Sequence, residues 1–487
     1  MAKTKGFYMA LGLCLLTMPF LCHAQAPEFP GMPEDNGLTP RTSTLYINTP
    51  DTINNSSTES LGAAIANNGN IIIGWEDDGD GVRDLEAVWT MFDGNGVSIT
   101  PDTVVSVGGQ TMTTKFLAFF RSDGSAVAGA TAWGPKIKAN LFGDGVGMGA
   151  TAFSLGEEIA ELADINLDEG GGGDFPAVQL LTNTGQPVAV LSGVSDEDAE
   201  PAGNIRIGDW DYLSNGNIVI IGESRQADDL VTKYGGAAPG NHAIYRIVTP
   251  SGEEVRPVGL VSSNAVANEI WHGVGVTRNG FAVRFNEGGR AQVRLFTNDG
   301  TPKGDNIDLG TLAGNEGPAG GGRGDGTGFH GNGVDAYAVC NSADANGDGA
   351  REVYLTVINE DGTLRYSRIA TDDFEFANSD RVDCAIDAQG RVLAAFMDND
   401  VTGLTVHLVQ ARLFDATGEP LGGTFFVSER ETVDNYQGES RRPRAALRGN
   451  TAVITWESTN HESTSDRVVA FRVFDVISTG VDHFMLY

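Results

Sequence analysis

The hydrophobic positions of this 487-residue chain fall in short runs, and each run ends at a turn rich in glycine, asparagine or aspartate. Residues 384–386, for example, form an apolar run that is followed by a turn at Gly390 and a second apolar run at 392–396. Short runs bounded by turn residues predict β-strands, and helical periodicity is almost absent. The sequence therefore predicts an all-β fold of many short strands.

Two series of turn glycines interleave along the chain. The first series is Gly69, Gly124, Gly216, Gly280, Gly333, Gly390 and Gly449. The second series is Gly96, Gly185, Gly252, Gly300, Gly362 and Gly418, with Phe474-Asp475 in the seventh place. Successive members of a series lie about 60 residues apart, which is the length of a four-stranded blade with two hairpin turns. This spacing predicts a seven-bladed β-propeller of four-stranded antiparallel blades.

One interval, between Gly124 and Gly216, is longer than the others. We interpret residues 132–174, which include a helix-compatible segment and a run of four glycines, as an insertion in blade 2. An eighth blade is the competing interpretation, but the stretch lacks its own pair of turn glycines. Residues 44–47, or alternatively the C-terminal residues 482–487, are expected to complete the last blade and close the ring.

The N-terminus has the charged, apolar and small-residue zones of an export signal, with cleavage expected after Ala24. We therefore divide the chain into a signal peptide at 1–24, a flexible leader at 25–41 and a single propeller domain at 42–487. No later apolar run is long enough to span a membrane. The protein is expected to be secreted, to the extracellular space or the periplasm, and to be a monomer.

The chain is strongly acidic, with 32 Lys and Arg against 65 Asp and Glu and a net charge of −33. A field of this sign repels polyanions, so nucleic acid is excluded as a partner. Cys340 and Cys384 are the two cysteines that remain after signal removal, and we expect a disulfide between them that joins neighbouring blades.

Two acidic loops have oxygen ligands at the spacing by which a short peptide wraps a calcium ion. The expected ligands of the first loop are Asp344, Asn346, Asp348 and Glu352, and those of the second are Glu76, Asp78, Asp80 and Asp84. Leu355 stands where an EF-hand has its last glutamate, so a further ligand or water would be needed. The alternative is a solvated acidic turn. Calcium is expected to hold these loops in shape rather than to take part in catalysis.

Segments 409–429 and 453–474 resemble the propeller repeats of bacterial secreted proteins and large calcium-rich adhesins. The similarity is carried by Thr455-Trp456-Glu457 and by the run from Ala411 to Gly423. The resemblance implies the fold and an extracellular setting. It implies no catalytic residue, because that group has no single activity.

The starts of the innermost strands point toward the mouth of the central channel, where aromatic and cationic groups suit an anionic sugar or a carboxylate. The expected ligand-binding residues are Trp133, Trp271, His272, His330, Arg381 and Arg442. If the protein is an enzyme, the expected catalytic residues are His272, His330, Arg381 and Arg441. The alternative for each histidine is a polar residue without a catalytic role.

No nucleophile motif, catalytic triad or strong metal set is recognisable in the sequence. We therefore expect a non-enzymatic exported propeller that binds a protein or glycan through its acidic, loop-rich face. The alternative is an extracellular polysaccharide lyase or hydrolase with its site at the channel mouth.

Overall fold

The computed structural model describes most of the chain between residues 36 and 477. The described residues are 36–47, 59–77, 86–104, 106–107, 110–111, 117–120, 126–130, 136–152, 175–192, 205–224, 242–264, 270–287, 290–309, 328–343, 352–371, 379–398, 408–427, 440–458 and 468–477. The predicted signal peptide and most of the leader lie outside these residues. In the described part of the chain no helix has the length and apolar character needed to cross a bilayer.

The described residues form 33 β-strands, which confirms the all-β prediction. Strands β1 to β14 are β1 (Leu38–Pro40), β2 (Leu45–Tyr46), β3 (Glu59–Ile65), β4 (Ile71–Asp77), β5 (Glu86–Phe92), β6 (Thr103–Val104), β7 (Ser106–Val107), β8 (Gln110–Thr111), β9 (Leu117–Phe120), β10 (Ala126–Ala130), β11 (Lys136–Ala139), β12 (Val146–Ala152), β13 (Phe175–Leu181) and β14 (Pro187–Ser192). Strands β15 to β26 are β15 (Ile205–Tyr212), β16 (Ile218–Ser224), β17 (His242–Val248), β18 (Glu254–Leu260), β19 (Ile270–Thr277), β20 (Gly280–Glu287), β21 (Arg290–Thr297), β22 (Ile307–Asp308), β23 (Phe329–Gly331), β24 (Ala336–Ala343), β25 (Glu352–Asn359) and β26 (Leu364–Ile369). Strands β27 to β33 are β27 (Ser379–Ile386), β28 (Val392–Asp398), β29 (Leu408–Phe414), β30 (Phe425–Phe426), β31 (Ser440–Arg448), β32 (Thr451–Ser458) and β33 (Val468–Val476).

In the described residues the longer strands form seven antiparallel sheets of four or five strands, and in six of them the strands follow sequence order. We number them sheet 1 (β3–β6), sheet 2 (β11–β14), sheet 3 (β15–β18), sheet 4 (β19–β22), sheet 5 (β23–β26), sheet 6 (β27–β30) and sheet 7 (β31–β33 with β1 and β2). Strands β7–β8 and β9–β10 form two further two-stranded sheets between sheets 1 and 2.

The first strands of the seven sheets contact one another in a closed cycle. Strand β3 contacts β11, and the contacts continue through β15, β19, β23, β27 and β31 back to β3. Six buried apolar clusters lie between successive sheets, because each cluster combines side chains from two neighbours. Large side chains at the ends of second strands, such as Trp75 and Trp456, are fully buried in these clusters. The core is therefore divided among the gaps between sheets.

The N-terminal strands complete sheet 7, as the sequence predicted for residues 44–47. Strand β1 pairs Leu38 with Val476, and β2 pairs Leu45 with Phe471, so both lie along β33. Arg41 forms an ion pair of 2.6 Å with Asp475 beside them. Residues from near the two ends of the chain are thus joined in one sheet.

The expected insertion at 132–174 needs correction, because most of its first half is regular sheet. Strands β11 and β12 occupy residues 136–139 and 146–152, and they pair with β13 to make the inner half of sheet 2. The turn between them contains Gly145, with φ of 114°, in the role that we assigned to Gly124. The error arose because the loop 140–145 is longer than the first turns of the other sheets, although it ends in Asp144-Gly145. Residues 153–174 lie outside the described residues.

A repeated arginine joins successive sheets near their outer edges. Arg412 of β29 donates hydrogen bonds from Nε to Gly422 O in its own sheet (2.9 Å) and from Nη1 to Ala370 O in sheet 5 (3.3 Å). Its guanidinium lies 5.6 Å from the Phe414 ring centroid. Arg294 with Phe296 and Arg472 with Phe474 repeat the arrangement in sheets 4 and 7. The Arg-x-Phe sequence of the third strand therefore marks a link to the preceding sheet.

Replacing Arg412 with methionine is expected to lower the free energy of unfolding by about 1–3 kcal/mol, because two partly buried carbonyls lose their charged donor. Arg290→Met is the control, since its ion pair with Asp308 is 45% and 40% exposed and such pairs contribute about 0–1 kcal/mol. Urea denaturation measures both variants. Equal effects in the two variants would show that Arg412 makes no specific link between sheets.

Candidate functional site

The first strands of the sheets surround a central cavity of about 70 Å³. Residues at equivalent register in these strands face the cavity from six of the seven sheets. They are Ala64, Lys138, Asp211, His330, Ala385 and Ala446. The seventh equivalent position is Gly275 of β19. Three polar groups thus face a cavity whose remaining wall at this level is made of small residues.

Lys138 is the centre of a buried charge cluster that joins sheets 2, 3 and 4. Its Nζ lies 3.1 Å from Asp209 Oδ2 and 3.9 Å from Asp211 Oδ2, and it donates a hydrogen bond of 3.1 Å to Val274 O. Burial alone would lower the pKa of Lys138, but the charges of Asp209 and Asp211 outweigh burial and raise it. Lys138 therefore carries its positive charge inside the protein at neutral pH.

The two aspartates nearest Lys138 differ in what they bind. Asp209 accepts hydrogen bonds from the amides of Trp210 and Val274, each 2.9 Å long, so it fixes β15 against β19. Asp211 faces the cavity, and its Oδ1 accepts the Tyr212 amide at 2.8 Å. Burial raises the pKa of Asp211 to about 7, with Lys138 opposing the rise and Asp209 adding to it. Asp211 is thus a carboxylic acid that exchanges its proton near neutral pH.

His330 and Asp383 form a second pair on the opposite side of the ring from β11. His330 Nε2 lies 3.4 Å from Asp383 Oδ1, and Asp383 Oδ2 accepts the Ala445 amide at 2.9 Å. Burial alone would raise the pKa of Asp383, but the hydrogen bond with His330 and the charges of His330 and Arg444 lower it. The His330 side chain is 29% exposed, against 8% for Asp383. An ionised carboxylate therefore orients an accessible imidazole at the cavity.

The cavity is bordered by a loop and an arginine at the turn ends of the first strands. Arg448 donates hydrogen bonds to Ile65 O (3.1 Å) and to Asn140 O (3.2 Å). Leu141, which also lines the cavity, packs so closely on Gly333 that a Cβ there would lie 3.1 Å from Leu141 Cβ. The loop that follows β11 therefore reaches across the channel toward sheet 5.

The first strands of several sheets bulge near their starts, and the predicted ligand-binding residues occupy these bulges. The register shifts between Ile270 and Gly273, between Asp380 and Asp383, and between Arg441 and Arg444. These shifts enclose Trp271 and His272 in sheet 4, Arg381 in sheet 6 and Arg442 in sheet 7. Bulges reorient side chains at sheet rims. Predicted ligand-binding residues from three sheets therefore occupy the same position, the bulge near the start of the first strand.

Arg381 and Arg442 both have a φ of 50°, an uncommon backbone conformation for a residue other than glycine. Arg442 is buried, and its Nη1 forms an ion pair of 2.9 Å with Glu457 Oε1. Arg442 therefore has a structural partner, and it is not among the residues that line the described cavity. The structure brings His330 to the cavity but places Arg381 and Arg442 at the strand starts.

The remaining predicted residues are only partly described. Trp133 lies outside the described residues, and of Trp271, His272 and Arg441 only the backbone is described. Asp344, Asn346, Asp348, Asp78, Asp80 and Asp84 lie outside as well, whereas Glu352 begins β25 and Glu76 lies in β4. Within the described residues no group of three or more His, Cys, Asp or Glu side chains is placed to hold a metal ion. Calcium binding and the predicted mouth therefore stay predictions.

Sequence reasoning missed Lys138, Asp209, Asp211 and Asp383. The sequence contains a pattern that could have predicted Lys138, Asp209 and Asp211. Charged and apolar residues alternate just before a turn in Lys-Ile-Lys-Ala at 136–139 and in Asp-Trp-Asp-Tyr at 209–212. In an innermost strand this alternation sends the charged side chains into the channel. We had assigned 136–139 to an insertion, so Lys138 received no place in the ring.

The raised pKa of Asp211 predicts a distinctive pH dependence of stability. Because its pKa is about 7 in the folded protein and 3.8 in the unfolded chain, its contribution is full below pH 3.8 and is lost as the pH rises through 7. Asp211→Asn lacks this loss, so its stability relative to wild type should rise by about 1.4 kcal/mol per pH unit between pH 5 and 7. Urea denaturation across this range measures the difference. A difference independent of pH would mean that Asp211 has an ordinary pKa.

No family model and no curated protein matches this chain. Among solved structures, it is similar to a protein of unknown function from Dyadobacter fermentans, with 11% identity, a TM-score of 0.45, and coverage of 90% of this chain and 99% of the other. The α-L-arabinofuranosidase of Fusarium graminearum has 8% identity, a TM-score of 0.44 and coverage of 90% and 99%. The α-L-arabinanase of Penicillium chrysogenum has 9% identity, a TM-score of 0.42 and coverage of 89% and 98%.

The two named enzymes are glycoside hydrolases. The expectation of a non-enzymatic protein is corrected, and its alternative, an extracellular lyase or hydrolase, is taken up below as a proposal. The non-enzymatic expectation had relied on the lack of a sequence motif, whereas the charged residues of the cavity come from separate strands. The comparisons show no adhesin-type repeat family. At these identities no catalytic residue can be transferred from the enzymes to this chain.

Proposed function

We propose that the protein is an exported carbohydrate-active enzyme, a glycoside hydrolase with its site in the central cavity of a seven-bladed β-propeller. The blade count is supported by the seven sheets among the described residues and by the cyclic contacts of their first strands. Export is supported by the signal sequence at 1–24. The two-stranded sheets β7–β8 and β9–β10 are then additions between the first and second blades.

The observation that carries the proposed activity is a pair of carboxyl groups with pKa values shifted in opposite directions. Asp211 has a pKa raised to about 7, and Asp383 has a pKa lowered by His330. Glycoside hydrolysis needs one group that donates a proton and another that acts as a base or nucleophile. Asp211 is the proposed donor, and His330, oriented by the ionised Asp383, is the proposed base.

In the proposed reaction Asp211 donates its proton to the glycosidic oxygen as the bond from that oxygen to the anomeric carbon breaks. A water molecule attacks the anomeric carbon, and His330 takes the proton that this water loses. Asp383 orients the imidazole and stabilises its positive charge, while its second oxygen is held by the Ala445 amide. Lys138 positions the Asp211 carboxyl. Both protons are accounted for, and no oxidant or reductant is needed.

A panel of arabinose-, xylose-, galactose- and uronic-acid-containing polysaccharides and chromogenic glycosides tests the proposal. Incubation between pH 5 and 8 should release new reducing ends from at least one substrate class. Unsaturated uronic products would instead identify the lyase reaction that the sequence left as an alternative. Absence of product from every substrate, with a protein that melts cooperatively, would overturn the enzymatic proposal.

We also propose that calcium orders the acidic loops at 76–84 and 344–352. The support is the spacing of their oxygen-bearing side chains and the position of Glu352 at the start of β25, where a ligand would tie the loop to sheet 5. Removing calcium with a chelator should lower the melting midpoint, and adding calcium back should restore it. An unchanged midpoint would remove the case for a structural ion.

A further inference from the structure

Cys340 and Cys384 come from neighbouring sheets and lie in the same buried cluster. Cys340 is in β24 of sheet 5 and Cys384 in β27 of sheet 6, and both are fully buried. Burial and the neighbouring Cys340 thiol both raise the pKa of Cys384. The structure has both as free thiols. Two residues that lie 44 positions apart in sequence are therefore members of one buried cluster.

Gly328 allows strands β24 and β27 to approach each other closely. Its carbonyl oxygen accepts the Cys340 amide at 3.0 Å and the Cys384 thiol at 3.7 Å, so both cysteines converge on one peptide group. A Cβ at residue 328 would lie 2.4 Å from the Cys384 amide nitrogen, which is closer than packing permits. The absence of a side chain at this position thus sets the spacing between sheets 5 and 6.

We propose that Cys340 and Cys384 form a disulfide that links sheet 5 to sheet 6 in the exported protein. Two S–H bonds are lost and one S–S bond forms, and the two electrons and two protons pass to a disulfide of a thiol–disulfide oxidoreductase or to glutathione disulfide. The geometry favours this pair because both cysteines converge on Gly328 O from adjacent sheets and share one buried cluster. The link is independent of any enzymatic activity.

The cross-link forms during folding, before the cluster around the cysteines is complete. Burial raises the pKa of the Cys384 thiol well above its usual value, so little of the attacking thiolate is present in the folded protein. Once formed, the disulfide restricts the unfolded chain by closing a loop that contains β25, β26 and part of sheet 6. The disulfide is therefore a stabilising bond rather than a reactive one.

Peptide mapping of the protein exported into a bacterial periplasm tests the proposal. After denaturation and alkylation, the peptides that contain Cys340 and Cys384 should be joined, and they should separate only after reduction. The mapping distinguishes them from Cys14 and Cys22, which lie in the predicted signal peptide. Recovery of Cys340 and Cys384 as alkylated thiols from the unreduced protein would overturn the proposal.

Melting with and without reductant provides a second test that does not depend on a variant folding well. Reduction should lower the midpoint of the wild-type protein by about 4 °C, because a loop of this length regains its freedom in the unfolded chain. The variant Cys340→Ser/Cys384→Ser is the control, and reductant should not move its midpoint. A wild-type midpoint that is insensitive to reductant would show that no bond joins the sheets.

Discussion

Replacing Asp211 with asparagine is expected to lower the kcat of glycan hydrolysis by about 100- to 10,000-fold, the range that a general acid contributes. Asparagine has the shape of the protonated carboxyl, so it keeps the contacts of Asp211 but has no proton to give to the leaving oxygen. The best substrate of the panel serves for the measurement. KM should change little, because the missing proton transfer belongs to the transition state.

The matched control is Asp305→Asn, the same chemical change at an exposed position outside the cavity. Its kcat should equal that of the wild type. The melting midpoint of Asp211→Asn at pH 7 should be at least as high as that of the wild type, since a buried group that resists ionisation has been made neutral. Retained activity in Asp211→Asn would exclude Asp211 as the acid, and another donor would then have to be sought at the cavity.

The pH profile of the reaction tests whether the ionisation of Asp211 limits activity at alkaline pH. Because Asp211 must be protonated to act, kcat/KM should fall as the pH rises through about 7. In Asp211→Asn the residual activity should lose this limb. A profile with the same alkaline limb in both proteins would assign that ionisation to another residue.

The repeat was predictable because most of its turns need a positive φ, which glycine adopts without cost. Gly216 and Gly362, for example, both have φ of 88° at the expected turns. Sheet 2 was misassigned because its first turn is not a compact reversal of this kind. Its first turn is a longer loop that includes Leu141, and the loop reaches over the channel instead of reversing tightly.

The site was harder to predict than the fold because its residues are brought together only by ring closure. His330 was selected from sequence, but its partner Asp383 lies in the next sheet, where it immediately precedes an apolar run. Lys138 and Asp211 likewise come from different sheets, and neither belongs to a recognisable motif. Strand register, which no local pattern in one strand reveals, determines which charges meet. Arg381 and Arg442 were conspicuous in sequence, yet they lie at the strand starts.

Replacing Lys138 with methionine is expected to destabilise the protein by about 3–5 kcal/mol at pH 7, the cost of leaving a buried charge without its partner. Methionine has a similar length but no charge, so the Asp209 carboxylate loses the ammonium at 3.1 Å and Val274 O loses a donor. Urea denaturation measures the loss. Lys303→Met is the control, because this lysine is exposed, and its effect should be within about 0.5 kcal/mol of zero.

A double-mutant cycle with Asp209→Asn identifies the cause of that loss. If the unpaired carboxylate is responsible, Asp209→Asn should cost less in the Lys138→Met background than in the wild type, by about 1–3 kcal/mol. Some cost should remain, because Asp209 also accepts the Trp210 and Val274 amides. Additive effects would mean that Lys138 acts through its contact with Val274 O rather than through the charge of Asp209. The cycle therefore tests whether one buried ion pair holds sheet 2 to the neighbouring sheet 3.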